Sequence, residues 1–386
     1  MMTDPETTEP ARIPSWWVYR GDGAPRSGIR IPDPPPWRDF GGVTTSQPQM
    51  PPGDDAFAQA ADEMEPVSLA DRATDGHKAW RERLAAAYRA LPKEARLVNT
   101  AIYLRRPMLV TGLPGTGKST LAYSIARELD LGPVLRWNIT SRTTLKDGLY
   151  QYDAIGRLQD LNIAERRRQP GKRPARQVPK SGTKLLAGAP SVHSDMGSYI
   201  KLGPLGTAMV PGARPRVLLI DEIDKGDIDL PNDLLAIFEE GEFAIPEVER
   251  LPAGYPEVAV MTQDSGARAA TDRGWIRCAQ FPIVVMTSNS EREFPPAFLR
   301  RCIRMDIKPP RPAQLERVLR AHFDGTGTPS DAILVKRFLD AHEAGQLIAT
   351  DQLLNALQIN STVLSEDDPG WPEVIDAILR PLNEQD

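Results

Sequence analysis

The nine residues Gly112, Leu113, Pro114, Gly115, Thr116, Gly117, Lys118, Ser119 and Thr120 constrain this chain more than any other stretch. They fit the pattern G-x-x-x-x-G-K-[ST], with Gly112, Gly117, Lys118 and Ser119 in the defining places. Glycines let the backbone curl until several N–H groups face one phosphate, and a helix starting there adds the positive end of its dipole. Lys118 is then positioned for the β- and γ-phosphates of ATP, and the Ser119 hydroxyl for Mg²⁺. The flanks suit this reading. The apolar run Pro107-Met-Leu-Val-Thr111 precedes the loop, and Leu121, Ile125, Ala126 and Leu129 follow it at helical spacing.

A second signal lies 103 positions after Lys118. Val217-Leu-Leu-Ile220 reads as a buried strand, and Asp221-Glu222 ends it in two carboxylates, the Walker B pattern. Asp221 is the expected Mg²⁺ carboxylate and Glu222 the general base for the attacking water. A third apolar strand, Pro282 to Thr287, ends at Ser288-Asn289, and Pro295-Pro-Ala-Phe-Leu-Arg300-Arg301 leads into a strand from Cys302 to Ile307.

Residues 1–75 hold 12 of the 37 prolines and long polar runs, so an extended segment is expected there. Two aromatic pieces within it, Ser15 to Arg20 and Pro36 to Phe40, are expected to pack on the chain's own globular part. Residues 77–105 read as two helices broken near Pro92, and Val134 to Ile139 as a strand. Residues 143–153 read as a short helix, 164–184 as a basic solvent loop, and Phe243 to Gln280 as turns and short strands. Apolar residues recur at helical spacing in four segments between 313 and 380, which predicts a small helical domain. Net charge is -5, so the whole chain has no basic bias toward nucleic acid or a membrane. Two cysteines form no disulfide framework, four scattered histidines give no zinc pattern, and no run of about 18 apolar residues exists to span a membrane. With an acidic, polar amino terminus, a cytoplasmic protein is expected.

Together these features resemble the AAA+ ATPases, over roughly residues 77–380. The resemblance rests on GLPGTGKST, VLLIDE, the strand ending at Asn289 and the PPAFLRR segment. Within that group, the stretch from Gly203 to Glu247 looks like the MoxR branch. The resemblance implies an α/β core at 76–310, a P-loop αβα fold on a parallel sheet, with inserts near 148–203 and 243–280. A helical lid at 311–386 would follow. It also implies that Asn289 is the sensor that orients water or bonds the γ-phosphate. Arg300 and Arg301 would occupy the arginine-finger segment that reaches a neighbouring subunit. One departure is visible: the lid helix opens Ala349-Thr350-Asp351-Gln352-Leu353-Leu354, without the family's sensor-2 arginine.

The expected function is an oligomeric ATPase, a hexameric ring by resemblance, remodelling or switching a protein client. Partners carrying von Willebrand factor A domains are implied by the same resemblance. A nucleic-acid motor is the alternative, supported only by the basic run from Arg166 to Lys184, and a nucleotide-binding scaffold with incidental hydrolysis is a third reading.

Overall fold

A computed structural model of the protein describes residues 13–41, 81–168, 196–252, 255, 257–308, 315, 329–344, 346, 348–362 and 368–381. Within them the strands, in chain order, are β1 (Met108–Thr111), β2 (Leu135–Asn138), β3 (Tyr150–Tyr152), β4 (Ile200–Leu202), β5 (Val217–Asp221), β6 (Glu242–Ala244), β7 (Val258–Met261), β8 (Arg268–Thr271), β9 (Trp275–Arg277), β10 (Ile283–Ser288) and β11 (Ile303–Asp306). Five of them form one parallel sheet in the order β11-β1-β10-β5-β2. Every residue of β5 and β10 is buried, as unbroken apolar runs require of strands covered on both faces.

Alternation along the strands divides the core. Val217 and Leu219 face one apolar cluster with Val110, Val285 and the inner sides of two helices, Pro92–Leu104 and Lys118–Glu128. Leu218 and Ile220 face another, with Leu234 and Phe238 of the helix Leu230–Glu240. The first of these helices starts as its sequence suggests. Pro92 sits in the first turn, where no N–H is needed, and the Glu94 carboxylate accepts the Leu91 N–H at 2.8 Å.

The two predicted inserts are joined in space. Their strands β3, β4, β7 and β8 make one four-stranded sheet, in which β4 of the first insert runs parallel to β7 of the second. Two local expectations are corrected here. Residues 143–153 were expected to be helical throughout, but the helix stops at Leu149 and the chain pairs as β3 with β4. Tertiary pairing outweighs propensity for Tyr150-Gln-Tyr152, whose alternating aromatics suit a half-buried strand. The helix Ala154–Arg168 runs on into the start of the expected basic loop, taking in Arg166, Arg167 and Arg168; the rest of that run lies outside the described residues.

The Pro-rich extension is fixed to the core along residues 13–41. Tyr19 is fully buried and its hydroxyl pairs with Ser124 Oγ at 2.9 Å on the Lys118–Glu128 helix. The Asn99 side chain accepts the N–H groups of Val18 and Tyr19 and donates back to the Tyr19 carbonyl. Buried Glu128 accepts from the Gly21 N–H at 2.9 Å and pairs with Arg26 at 2.5 Å. The segment then passes the residues that precede β1 and β5, where Arg105 donates to the Pro32 carbonyl and Arg214 to that of Ile29. It ends on the opposite face, with Phe40 against Phe281 at 5.7 Å between ring centres. Both aromatic pieces thus pack on the chain itself, and the strap crosses the amino-terminal edge of the sheet. Residues 1–12 and 42–80 of the extension lie outside the described residues.

Toward the carboxyl terminus, helices Pro329–Glu343, Thr350–Thr362 and Trp371–Ile378 bury Leu334, Phe338, Leu353, Leu357 and Ile375 in a third, separate cluster. Most of the expected helix near 314–323 lies outside the described residues. Among the described residues no helix is long and apolar enough to cross a membrane.

The strap is held by core-like packing, so its anchor should behave as a core residue. Tyr19→Ala is expected to cost about 3–5 kcal/mol in urea unfolding, and Tyr19→Phe, which loses one buried hydrogen bond, about 1 kcal/mol. Equal stability of Tyr19→Ala and the unaltered protein would mean that the strap is not docked in solution.

Candidate nucleotide site

Ligands of open parallel sheets sit beyond the carboxyl ends of the strands, and that is where the predicted residues meet. The 112–117 loop leaves β1 with three glycines at positive φ: Gly112 at 147°, Gly115 at 73° and Gly117 at 86°. A Cβ on Gly112 would stand 2.4 Å from the Ile307 carbonyl oxygen, and one on Gly115 would stand 2.8 Å from the Thr350 backbone nitrogen. Glycine is therefore required by both conformation and space. The helix Lys118–Glu128 starts directly after Gly117.

The Lys118 ammonium is buried and donates to three neutral oxygens, the Gly112 and Leu113 carbonyls and Asn289 Oδ1, each at 2.8 Å. Burial lowers its pKa from the usual lysine value, against the raising effect of Asp224, Asp221 and Glu222. A buried cation held by carbonyls, with no carboxylate in hydrogen-bond contact among the described residues, suits a phosphate. The glycine cradle suits the same group.

Asp221 gathers three elements. Its Oδ1 accepts from Ser119 Oγ and from Thr287 Oγ1, each at 2.7 Å, and its Oδ2 accepts from Arg136 Nη2 at 2.6 Å and Nε at 3.2 Å. Burial works to raise the carboxyl's pKa, but the hydrogen bonds from Ser119, Thr287 and Arg136, with the guanidinium's charge, hold it below the ordinary value. A hydroxyl and an ionised carboxylate 2.7 Å apart are a donor set of the kind Mg²⁺ takes beside nucleotide phosphates.

Glu222 has a positive φ of 61°, and its N–H donates to Thr287 Oγ1 at 2.9 Å. Its carboxylate pairs with Lys225 at 2.8 Å and lines an open cavity of about 580 Å³ with Asp224, Glu291 and Arg292. Asp224 is buried, and its Oδ2 accepts the N–H groups of Asn289 at 2.9 Å and Glu291 at 3.2 Å. That clasp fixes the loop carrying Asn289.

Arg300 and Arg301 do not join this group within the chain. Arg300 is exposed at the end of the short helix Pro296–Leu299. Arg301 is half-buried, ion-paired with Glu239 and bonded to the Ala297 carbonyl. The helix Thr350–Thr362 brings its first turn to the glycine loop, with Asp351 Oδ1 3.0 Å from where a Gly115 Cβ would stand. Gln352 points elsewhere: its amide donates to the Ile378 and Arg380 carbonyls and accepts the Ala349 N–H. Sequence reading overlooked Arg136, Thr287, Asp224 and Lys225. An arginine at an exposed position of the edge strand and an acid three places after Asp221 were the available signals.

A glycine loop on a parallel sheet, with a buried lysine and an acid-tipped neighbouring strand, defines a P-loop nucleotide-binding protein. The chain matches the AAA domain (dynein-related subfamily) over residues 107–302, just over half its length, and it belongs to that family. Nucleotide binding, and nucleotide hydrolysis in general, follow from that membership. No curated protein matches the chain.

Thr287 serves both acids, so Thr287→Val should cost about 1–3 kcal/mol in urea unfolding, with Thr287→Ser restoring most of it. Asp221 adds a pH signature. Its lowered pKa means its stabilising contribution is complete above about pH 4 and is lost as pH falls through the folded value. The stability gap between the unaltered protein and Asp221→Asn should therefore narrow in unfolding curves taken below about pH 4.

Proposed function

We propose that the protein is a Mg²⁺-dependent ATPase of the MoxR-like kind, acting as a homo-oligomeric ring that switches or remodels a protein partner. The observation that carries the ATPase reading is the convergence of Lys118, Ser119, Asp221 and Asn289, from four separate segments, at one end of the sheet. In this reading the glycine-loop amides and Lys118 bind the phosphates, and Ser119 and Asp221 hold the metal. Bound Mg²⁺ neutralises charge on the β- and γ-phosphates. Glu222, once free of Lys225, takes the proton of the attacking water, and Asn289 orients that water. The MoxR-like assignment draws on the position of the two inserts and their shared sheet.

The oligomer reading draws on the arginines. Arg301 is engaged by Glu239 of its own chain, whereas Arg300 is exposed, so Arg300 is the finger this reading assigns to a neighbour's site. With no arginine on the first turn of Thr350–Thr362 and Glu222 paired to Lys225, slow hydrolysis fits, on the order of one turnover per second or less. Such a rate suits a switch with a long-lived ATP state. A partner with a von Willebrand factor A domain is the protein class the reading favours.

Lys118→Ala should abolish tight ATP binding, while Glu222→Gln should bind ATP and hydrolyse it far more slowly; normal turnover by Glu222→Gln would remove Glu222 from the mechanism. Activity per subunit should rise with protein concentration. Mixing Arg300→Ala protein with Lys118→Ala protein should partly restore hydrolysis, because hybrid interfaces join one intact half-site from each. An inactive mixture, with subunit exchange shown independently, would rule out a shared site.

A further inference from the structure

Arg136 has no part in the phosphate-loop or Walker B patterns, yet it makes the only ion pair to Asp221 among the described residues. It lies on β2, the edge strand beside β5, in register with Leu219 two residues before Asp221. Burial alternates along β2, with Leu135 and Trp137 inside and Arg136 and Asn138 outside. The Arg136 side chain therefore runs along the sheet surface on the Lys118–Glu128 side and reaches Asp221 Oδ2 through two nitrogens. The pair is asymmetric: the arginine side chain is 38% exposed and the aspartate 8%. The guanidinium can therefore leave toward water, and the carboxylate cannot.

A second acceptor is close by. Tyr123 lies one helical turn beyond Ser119, and its hydroxyl is buried with no partner among the described residues. Burial raises the phenol's pKa, and the nearby charges of Arg81 and Arg136 act against that rise.

We propose that Arg136 is the built-in counter-ion of the metal carboxylate: it neutralises Asp221 while Mg²⁺ is away, and Mg²⁺ must compete with it for that charge. Ser119 and Thr287 occupy Oδ1 and orient the carboxylate, so Oδ2 is the oxygen whose charge the two cations contest. Arg136 is thus a positioning residue that sets how much Mg²⁺ the site needs. The inference rests on the reading of Ser119 and Asp221 as the metal-holding pair.

The test is binding of a fluorescent ADP analogue by the full-length protein, titrated with Mg²⁺ from an EDTA-treated start. In the unaltered protein Mg²⁺ should tighten ADP binding. In Arg136→Gln the Mg²⁺ concentration at half-effect should fall about five-fold, the scale of one partly screened unit charge. The metal-free thermal midpoint of Arg136→Gln should fall as well, and Mg²⁺ with ADP should recover more of it than in the unaltered protein. Arg136→Lys keeps the charge but loses the two-nitrogen contact, so its Mg²⁺ midpoint should lie between the two. That variant decides the matter if Arg136→Gln does not fold. A midpoint that stays put or rises in both variants overturns the role of Arg136 and leaves the metal pair standing. No effect of Mg²⁺ on ADP binding by the unaltered protein overturns both.

Discussion

The Asp221 carboxylate is the point on which the site depends. It lies at the end of a fully buried strand and is itself buried, so its charge must be met by the protein. Ser119 meets it from the phosphate-loop helix, Thr287 from β10 and Arg136 from β2. Three elements that share no local sequence are thereby set in register at the sheet's carboxyl end. Thr287 extends the arrangement by accepting the Glu222 N–H, so the two acids are placed by one hydroxyl. Removing one partner of a buried charge typically costs about 3–5 kcal/mol, more than any exposed pair in the molecule can supply.

The opposite end of the sheet is closed by a different device. The strap from residue 13 to 41 anchors on the Lys118–Glu128 helix through Tyr19–Ser124 and Glu128, and reaches the other face at Phe281. The helix that opens at the phosphate loop is therefore braced at its far end by a segment more than 90 residues away in sequence. On the nucleotide side, Thr350 and Asp351 close against Gly115. Both braces act on the element that carries Lys118 and Ser119. Their shared effect is to fix where the lysine and hydroxyl stand before any ligand arrives.

Much of this was legible in the chain because its chemistry is local. The strand, glycine loop and helix around Lys118 are contiguous, and so are Val217 to Glu222, which makes pattern and position coincide. Apolar runs without alternation correctly announced strands buried on both faces. What was missed is long-range. Nothing near Arg136 marks it as a partner of a residue 85 positions away. The helix expected through residue 153 fails because β3 is made by pairing with β4, about 50 residues on, and local periodicity carries no trace of a partner. Gln352 was placed at the nucleotide by its position in a helix opening, but the Ile378 and Arg380 carbonyls claim its amide, and Asp351 takes the place at the loop.

The cations and acids are also graded in how firmly they hold. Glu222 and Lys225 are each more than 40% exposed, so water competes for both and their pair is worth about 0–1 kcal/mol. Asp221 and Arg136 meet where one side is closed to water, and separating them leaves a charge with nowhere else to be solvated. Lys118 lies between these cases: it is buried, but held by dipoles and not by a countercharge in contact. An arriving anion therefore gains most at Lys118, where the positive charge is least neutralised. It brings with it the metal needed to replace Arg136 at Asp221. Freeing Glu222 needs least, because its latch is the weakest of the three. The order of events that these magnitudes favour is phosphate first, metal exchange with it, and release of the base last, so that the water-activating acid is unmasked only in a site already loaded.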